Sequence, residues 1–306
     1  MEELAKVFSP AKINLFFAVT GLRQDGYHNI LSANCALNFG DEITIFRSPG
    51  GGDEIICDEP FLNKNNNTII TALDVFRKKT GLGRHFTIQL KKFIPHEAGF
   101  GGGSSNAATL LRAINEICGN ILSPTELVDL GKIVGADCPC FIHNMPNVTT
   151  GIGDICQPLN EEMISAMENY DLLIFKPAFG VNTKEAYGIL RKNFQHLYLG
   201  EKEALRRLLA LQDAIVAGQV LLPLNNTFSE IFFLEHENLR ELRCKMRSIG
   251  TNMMLTGSGS GCFCLSHKSL GNKGDTLKSM IGKYCGKITF IKPTSFARKN
   301  FSTWTL

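Results

Sequence analysis

Four glycines and two serines lie close together in residues 95–106, with the sequence PHEAGFGGGSSN. Glycine has no Cβ atom, so a ligand can approach its backbone closely, and positive φ angles are accessible to it. At the start of a helix, free backbone N–H groups attract an anion, and serine side chains can cap them. The stretch is therefore typical of a phosphate-binding loop, with Ser104 and Ser105 as the predicted caps of the following helix.

The same residues leave a second interpretation open, because a glycine run beside a helix cap is also typical of a flexible loop. Two known nucleotide motifs do not match. No Gly-Lys-Ser/Thr follows the glycines, as a P-loop requires. The spacing of the glycines also differs from that of the dinucleotide-binding fingerprint.

The regions on either side of this loop predict the elements that would position it. Residues 85–90 have apolar side chains at alternate positions, which predicts a strand. After the loop, apolar residues recur at three- and four-residue spacing and predict an amphipathic helix that ends near Gly119. The loop would thus connect a strand to the beginning of a helix.

An ammonium and an amide side chain share one face of an early predicted strand. Residues 7–19 have apolar side chains on alternate positions, so Lys12 and Asn14 lie on the opposite face. By itself this face is typical of a solvated surface.

Tyr27 and His28 follow a turn signal. Such a pair is either an ordinary surface feature or a place where a planar heterocycle stacks.

A single aspartate, Asp137, follows a helix that the sequence predicts clearly. Residues 123–126 form a capping box with proline at the first helical position, and Gly135 ends the helix. An aspartate in this place is usually a turn or cap residue. Its chemical role is therefore open on local grounds.

Three further stretches predict turns. Residues 253–265 predict two strands joined by a glycine turn, which serves either the backbone conformation alone or a ligand. Gly40-Asp41 predicts a turn between strands, and residues 63–67 are polar and turn-like.

The overall composition is that of an ordinary globular protein. Its 306 residues suffice for one large or two modest domains, and a net charge of +3 indicates neither nucleic-acid nor membrane binding. Ten cysteines include no Cys-x-x-Cys, so we expect buried thiols in a reducing compartment. The sequence has no signal-peptide pattern and no apolar run that could span a membrane, which predicts a cytoplasmic protein.

Together the motifs resemble those of the GHMP small-molecule kinase superfamily. Residues 95–106 resemble its ATP-binding loop, residues 135–141 (GADCPCF) the segment with the catalytic aspartate, and residues 253–265 its third motif. Residues 10–15 (PAKINL) and 21–28 (GLRQDGYH) resemble the N-terminal signature of the branch that phosphorylates CDP-methylerythritol. The motifs follow one another in the family order along nearly the whole chain.

The resemblance implies an α/β (α+β) protein of two domains with the active site in the cleft between them. Residues 1–160 would form the N-terminal GHMP-type α/β domain, and residues 161–306 a C-terminal ferredoxin-like α/β domain. The implied reaction transfers the γ-phosphoryl group of ATP, with Mg²⁺, to the 2-hydroxyl of CDP-methylerythritol. It would give the 2-phosphate and ADP in the non-mevalonate route to isoprenoid precursors.

The resemblance also assigns roles to individual residues. Asp137 would accept the hydroxyl proton, and Lys12 would stabilise the charge beside it. The predicted ATP-binding residues are Pro95, Gly99, Gly101, Gly102, Gly103, Ser104, Ser105 and Asn106. The predicted substrate-binding residues are Asn14, Tyr27, His28, Thr183 and Tyr187, of which Tyr27, His28 and Tyr187 would frame the cytosine. No metal ligand is assigned, since Asn106 stands where many relatives have Asp.

Three motif positions depart from the usual residues of the family: Phe100 replaces Leu, Cys138 an aliphatic side chain, and Ser260 Ala. None of them removes an assigned charge or hydrogen-bonding group.

Two alternative functions remain, namely another kinase of the superfamily (for homoserine, mevalonate or a sugar) and a catalytically silent nucleotide-binding regulator. The sequence leaves open whether the protein is a monomer or a homodimer.

Overall fold

Two β-sheets with their covering helices form the part of the chain that the structure, a computed structural model, describes: residues 2–59, 67–143 and 145–297. The strands are β1 (Glu3–Leu22), β2 (His28–Arg47), β3 (Glu54–Cys57), β4 (Phe86–Lys91), β5 (Asn147–Thr150), β6 (Ile155–Pro158), β7 (Tyr170–Pro177), β8 (Asn225–Asn226), β9 (Thr251–Leu255), β10 (Cys262–His267) and β11 (Ile288–Thr294). The helices are α1 (Thr68–Thr80), α2 (Gly102–Ile117), α3 (Pro124–Val134), α4 (Cys138–Ile142), α5 (Glu161–Ala166), α6 (Thr183–Asn193), α7 (Glu201–Val216), α8 (Thr227–Glu235), α9 (Glu237–Ser248) and α10 (Gly274–Cys285). Most of the polar stretch predicted at 63–67, and residues 298–306 of the predicted C-terminal domain, lie outside the described residues.

The first sheet is organised on the long antiparallel pair β1–β2. Its order is β3-β4-β2-β1-β8, and β5 pairs with both β2 and β6. Irregularities in the β1–β2 register, one of them between Asn14 and Phe16, interrupt the simple alternation of side chains. Both faces of β1 are buried around Lys12 and Asn14, so the interpretation of this face as a solvated surface is wrong.

The turn predicted at Gly40-Asp41 is also wrong, because β2 continues through both residues. Gly40 lies opposite Pro10 of β1, and a Cβ atom on Gly40 would overlap the carbonyl oxygen of Ser9. Glycine is therefore required here by the close approach of two strands. Asp41 is completely buried in the sheet.

The second sheet is antiparallel and has the order β11-β7-β10-β9. Along the chain its strands and main helices alternate as β-α-β-β-α-β, with α6 to α9 after β7 and α10 after β10. This is the ferredoxin-like arrangement, which confirms the fold predicted for the C-terminal part.

The hydrophobic core is continuous between the two sheets. One cluster of buried side chains joins Ile13 and Phe100 of the N-terminal part to Met163 and Phe263 of the C-terminal part. In addition, β8 comes from the C-terminal part and pairs with β1 of the first sheet. The predicted domain boundary at residues 160/161 falls between β6 and α5 and remains a prediction.

Local sequence signals define the ends of the helices around the glycine-rich loop, and for α3 they do so as predicted. α1 ends at Gly81, whose left-handed φ of 70° lets its N–H bond to the Arg77 carbonyl. α3 begins with a reciprocal capping box between Ser123 and Glu126.

All ten cysteines are free thiols, and six of them are buried, as expected. Within the described ranges, no helix combines the length and the apolar character needed to cross a bilayer.

Candidate active site

A cleft of about 330 Å³ lies where the glycine-rich loop meets the C-terminal part of the chain. The predicted site residues that line it are Lys12, Pro95, Gly99, Gly101, Gly102, Gly103, Ser104, Asp137, Thr183 and Tyr187. The predicted site residues outside its lining are Asn14, Tyr27, His28, Ser105 and Asn106. The fold thus brings predicted site residues from four separate sequence segments into one cleft.

The glycine-rich loop presents its backbone, and not serine caps, to the cleft. α2 begins at Gly102, directly after Gly101, whose φ of 74° glycine adopts without strain. Ser104 and Ser105 therefore lie inside the first turn, and the prediction that they cap the helix is wrong, since no side chain caps this end. The N–H groups of the first turn stay available, and the helix dipole is positive there.

Two of the predicted ATP-binding residues anchor the start of α2. The Ser105 and Ser9 hydroxyl oxygens are 2.8 Å apart, and Asn106 Nδ2 donates to Ser9 Oγ and Asp41 Oδ2, both at 2.9 Å. Lys92 forms an ion pair with Asp41 and donates to Asn106 Oδ1 at 3.0 Å. These side chains fix the position of the loop, and a direct contact of Ser105 or Asn106 with ATP remains a prediction.

The loop also lies against the glycine turn that joins β9 to β10. The Gly261 N–H donates to the Ala98 carbonyl at 3.0 Å. Gly99 has a φ of 74°, and a Cβ atom there would overlap the carbonyl oxygen of Thr256. The two segments therefore meet through backbone atoms, with no space for a side chain between them.

We expect Gly99→Ala to lower the free energy of unfolding by about 1–3 kcal/mol, because the positive φ and the overlap with Thr256 both oppose a side chain. Urea unfolding measures the change. The matched control is Gly103→Ala, where the nearest neighbour of a new Cβ, Thr68 Oγ1, is 3.5 Å away. Gly103→Ala should unfold at the parental midpoint or slightly above it. A parental midpoint for Gly99→Ala would contradict this account of the contact.

Lys12 and Asp137 form the charged centre of the cleft. Lys12 is only 4% exposed, and its Nζ lies 3.8 Å from Asp137 Oδ2. Asp137 stands between α3 and α4, and 51% of its side chain is exposed. A half-exposed carboxylate can accept a proton from a molecule in the cleft, while the buried ammonium favours negative charge nearby.

Asn14 is held by the protein on every side. Its Oδ1 accepts from Lys12 Nζ at 2.6 Å and from the Gly257 N–H at 2.9 Å. Its Nδ2 donates to Ser32 Oγ and Asn34 Oδ1, both at 2.8 Å. Asn14 thereby connects Lys12 to the glycine turn. It would have to release one of these bonds to bind a substrate hydroxyl, and that role remains a prediction.

A buried polar chain behind the charged centre was missed from the sequence. Asn34 Nδ2 donates to Asn147 Oδ1 at 3.3 Å, and Asn147 Nδ2 donates to the Cys140 carbonyl at 3.0 Å. These bonds connect Asn14 to α4, the helix that follows Asp137. Only part of the chain had a signal in the sequence: Asn14 is an amide side chain inside a predicted strand, and buried amides must be hydrogen-bonded.

Two of the three residues predicted to frame a base are in contact. The ring centroids of His28 and Tyr187 are 4.9 Å apart with an interplanar angle of 35°. Tyr187 lines the cleft, and its ring meets that of Phe228 edge-on. Tyr27 is 62% exposed. His28 and Tyr187 therefore pack against each other, although His28 is outside the cleft lining, and Tyr27 is exposed to solvent.

Thr183 lies at the start of α6, where Asn182 caps the helix. Its Oγ1 is 2.9 Å from Ser258 Oγ in the glycine turn, and both residues line the cleft. Ser258 was not predicted as a site residue, although it lies within the third motif.

The three departures from the family pattern are accommodated locally. Ser260 Oγ donates to the Phe179 carbonyl at 2.5 Å, and Phe100 packs edge-on against Phe290. Burial and the neighbouring Asp137 raise the pKa of the Cys138 thiol to about 12, so the thiol stays neutral beside the charged centre.

Comparison with known proteins assigns the family. The model of the GHMP kinases N terminal domain matches residues 67–145, which include the loop and Asp137. The chain is 34% identical over 262 residues to 4-diphosphocytidyl-2-C-methyl-D-erythritol kinase of Protochlamydia amoebophila, with 85% of this chain and 84% of that protein covered. It is 35% identical over 256 residues to the protein of the same name from Persephonella marina, with 83% and 89% covered.

Solved structures share the fold. The crystal structure of a 4-(cytidine 5'-diphospho)-2C-methyl-D-erythritol kinase matches with a TM-score of 0.73 and 23% identity over 95% of this chain and 99% of that one. Homoserine kinase from Cytophaga hutchinsonii matches with a TM-score of 0.74 and 18% identity over 96% and 95%. At these identities the structures support the two-domain α/β fold alone and do not separate one acceptor from another. The sequence relatives are more similar, at 34% and 35% identity over most of both chains. This chain therefore belongs to the 4-diphosphocytidyl-2-C-methyl-D-erythritol kinase family of the GHMP kinases.

Proposed function

We propose that the protein is an ATP-dependent kinase that phosphorylates the 2-hydroxyl of 4-diphosphocytidyl-2-C-methyl-D-erythritol. The products are the 2-phosphate and ADP, in the non-mevalonate route to isoprenoid precursors. The observation that carries the proposal is the buried Lys12 beside Asp137 in a cleft lined by the glycine-rich loop. Family membership supports the choice of acceptor, because the relatives that match most of the chain are named as kinases of this compound.

In the proposed reaction, the protein positions the two substrates and moves one proton. The N–H groups at the start of α2 bind phosphate oxygens of ATP. Asp137 accepts the proton of the acceptor hydroxyl while that oxygen forms a bond to the γ-phosphorus. The bond from the γ-phosphorus to the β–γ bridging oxygen breaks, and ADP leaves with that oxygen. Lys12 stabilises the negative charge on the transferring phosphoryl group.

Mg²⁺ would enter with ATP and not occupy a separate protein site. Across the described ranges, no three His, Cys, Asp or Glu side chains come together to hold a metal ion. Mg²⁺ commonly takes phosphate oxygens and water with only one or two protein ligands. Ser104 and Asp137, which both line the cleft, supply oxygen atoms of the right kind. The ion would neutralise charge on the β- and γ-phosphates.

The acceptor would lie across the C-terminal side of the cleft. Its cytosine would rest beside His28 and Tyr187, with Tyr27 stacking from the solvent side. Thr183, paired with Ser258, offers a hydroxyl to the part of the acceptor between the base and Asp137.

The test is ADP release from ATP and Mg²⁺ with four acceptors: the cytidine compound, homoserine, mevalonate and galactose. Rapid turnover with the cytidine compound alone is the expected result. Turnover with another acceptor would replace the assigned substrate but keep the kinase chemistry. ATP binding without turnover of any acceptor would favour a silent nucleotide-binding regulator.

A further inference from the structure

A tyrosine that the sequence did not single out contacts one of the residues expected to recognise the base. The Tyr198 hydroxyl oxygen lies 2.8 Å from His28 Nε2, and the two rings meet edge-on at 87°. Tyr198 directly follows a 3₁₀ turn, Gln195–Leu197, in the connection between α6 and α7. This connection brings a phenol to the start of β2, where His28 is buried.

The His28 imidazole is neutral near pH 7, because burial and the positive charge of Arg191 lower its pKa. A neutral imidazole carries one N–H donor and one acceptor nitrogen. The hydrogen bond made by one ring nitrogen therefore determines whether the other nitrogen donates or accepts.

The chemistry of the two groups sets the direction of their hydrogen bond. A phenol O–H is a strong donor and its oxygen a weak acceptor, whereas an unprotonated imidazole nitrogen is a strong acceptor. Burial raises the pKa of the Tyr198 hydroxyl, so it keeps the proton that it donates. Tyr198 thus donates to Nε2, and the ring proton of His28 resides on Nδ1.

The orientation of the His28 ring is fixed as well. Tyr187 lies against one face of the ring, and Phe228 supports Tyr187 from the side. A ring flip would break the bond to Tyr198 and disturb this packing. Within the described residues, Nδ1 of His28 has no hydrogen-bond partner. It is also not among the fully buried polar atoms that lack a partner, so it keeps some contact with solvent and can donate to a ligand.

A hydrogen on Nδ1 distinguishes between the two pyrimidines. N3 of cytosine accepts a hydrogen bond, whereas N3 of uracil carries a hydrogen and cannot. We propose that Tyr198 is a positioning residue that selects cytosine over uracil by holding His28 in the Nδ1–H tautomer. This inference rests on the proposed function, in which the cytosine lies beside His28.

The tautomer can be measured directly on the unaltered protein. A long-range ¹H–¹⁵N spectrum of ¹⁵N-histidine-labelled protein, assigned with His28→Gln, reports which ring nitrogen carries the hydrogen. We expect Nδ1–H for His28. An Nε2–H tautomer would overturn the inference whether or not the protein turns over the cytidine compound.

The consequence for specificity is tested with Tyr198→Phe, which removes only the hydroxyl. Without that hydroxyl, His28 can shift its hydrogen to Nε2 and accept from uracil. We expect the ratio of kcat/KM for the cytidine acceptor to kcat/KM for its uridine analogue to fall by about 10- to 100-fold, mainly through KM. CMP and UMP binding, measured by calorimetry, should lose selectivity in parallel.

The control is Tyr284→Phe, which removes a tyrosine hydroxyl on α10, outside the cleft lining. It should leave the ratio unchanged. An unchanged ratio in folded Tyr198→Phe, checked by thermal unfolding, would overturn the role of Tyr198. Absence of turnover with the cytidine compound in the parent protein would instead overturn the proposed function, and the spectrum would still decide the tautomer.

Discussion

Asp137→Asn is expected to lower turnover by about two to four powers of ten while leaving ATP binding largely intact. The amide keeps the size of the side chain but cannot accept the hydroxyl proton. Lys12 keeps its charge and its bond to Asn14, so the attraction for the triphosphate persists. Single-turnover kinetics with the cytidine acceptor measures the chemical step, and calorimetry with a non-hydrolysable ATP analogue measures nucleotide affinity.

Asp129→Asn provides the matched control, because Asp129 lies on the exposed side of α3, pairs with Lys132 and is outside the cleft lining. It should turn over at the parental rate. A parental rate for Asp137→Asn would show that the proton goes elsewhere, and the base would have to be sought among other groups of the cleft.

Lys12, Asp137 and the glycine-rich loop could be placed in one cleft because each lies in a short stretch that resembles a family motif, and the cleft lining contains all three. Their chemical roles came from that resemblance and remain predictions. The glycines around residue 101 adopt conformations that other residues avoid, and Asp137 follows a helix whose start and stop are both encoded locally. The predicted ferredoxin-like topology, which came from the resemblance and not from local pattern, is also confirmed.

Two of the wrong predictions, the turn at Gly40 and the solvated face of β1, share a physical cause: each depended on what lies across from the residue. Gly40 has the sequence of a turn, but the approach of Ser9 on the neighbouring strand requires glycine there. Single-strand periodicity contains no information on such long-range neighbours. The predicted caps Ser104 and Ser105 failed for a local reason: Gly101 is the N-cap, and α2 begins at Gly102, two residues before the first serine.

The same limit explains why the supporting residues were missed. Asn14 was predicted as a substrate ligand from the family resemblance, yet its partners Gly257 and Asn34 come from distant segments. Tyr198 lies in an irregular connection with no motif around it, and only the folded chain brings its hydroxyl to His28. Residues that contact a substrate carry family motifs, whereas the residues that position them need not.

The second large effect is expected for Asp41→Ala, which should lower the free energy of unfolding by about 3–5 kcal/mol. Asp41 is completely buried, and its Oδ1 accepts from the Phe93 and Ile94 N–H groups at 2.7 and 2.8 Å. Its Oδ2 accepts from Asn106 and pairs with Lys92. Alanine would leave a largely buried ammonium and several buried donors without an acceptor. Urea unfolding followed by circular dichroism measures the loss.

Glu42→Ala is the control on the same strand, one residue farther along. Glu42 forms a half-exposed ion pair with Lys6, so its removal should change the free energy of unfolding by no more than about 1 kcal/mol. Because Asn106 fixes the first turn of α2 through Asp41, Asp41→Ala should also weaken ATP binding under conditions where the protein is still folded. A parental midpoint for Asp41→Ala would show that the buried pair contributes nothing to stability.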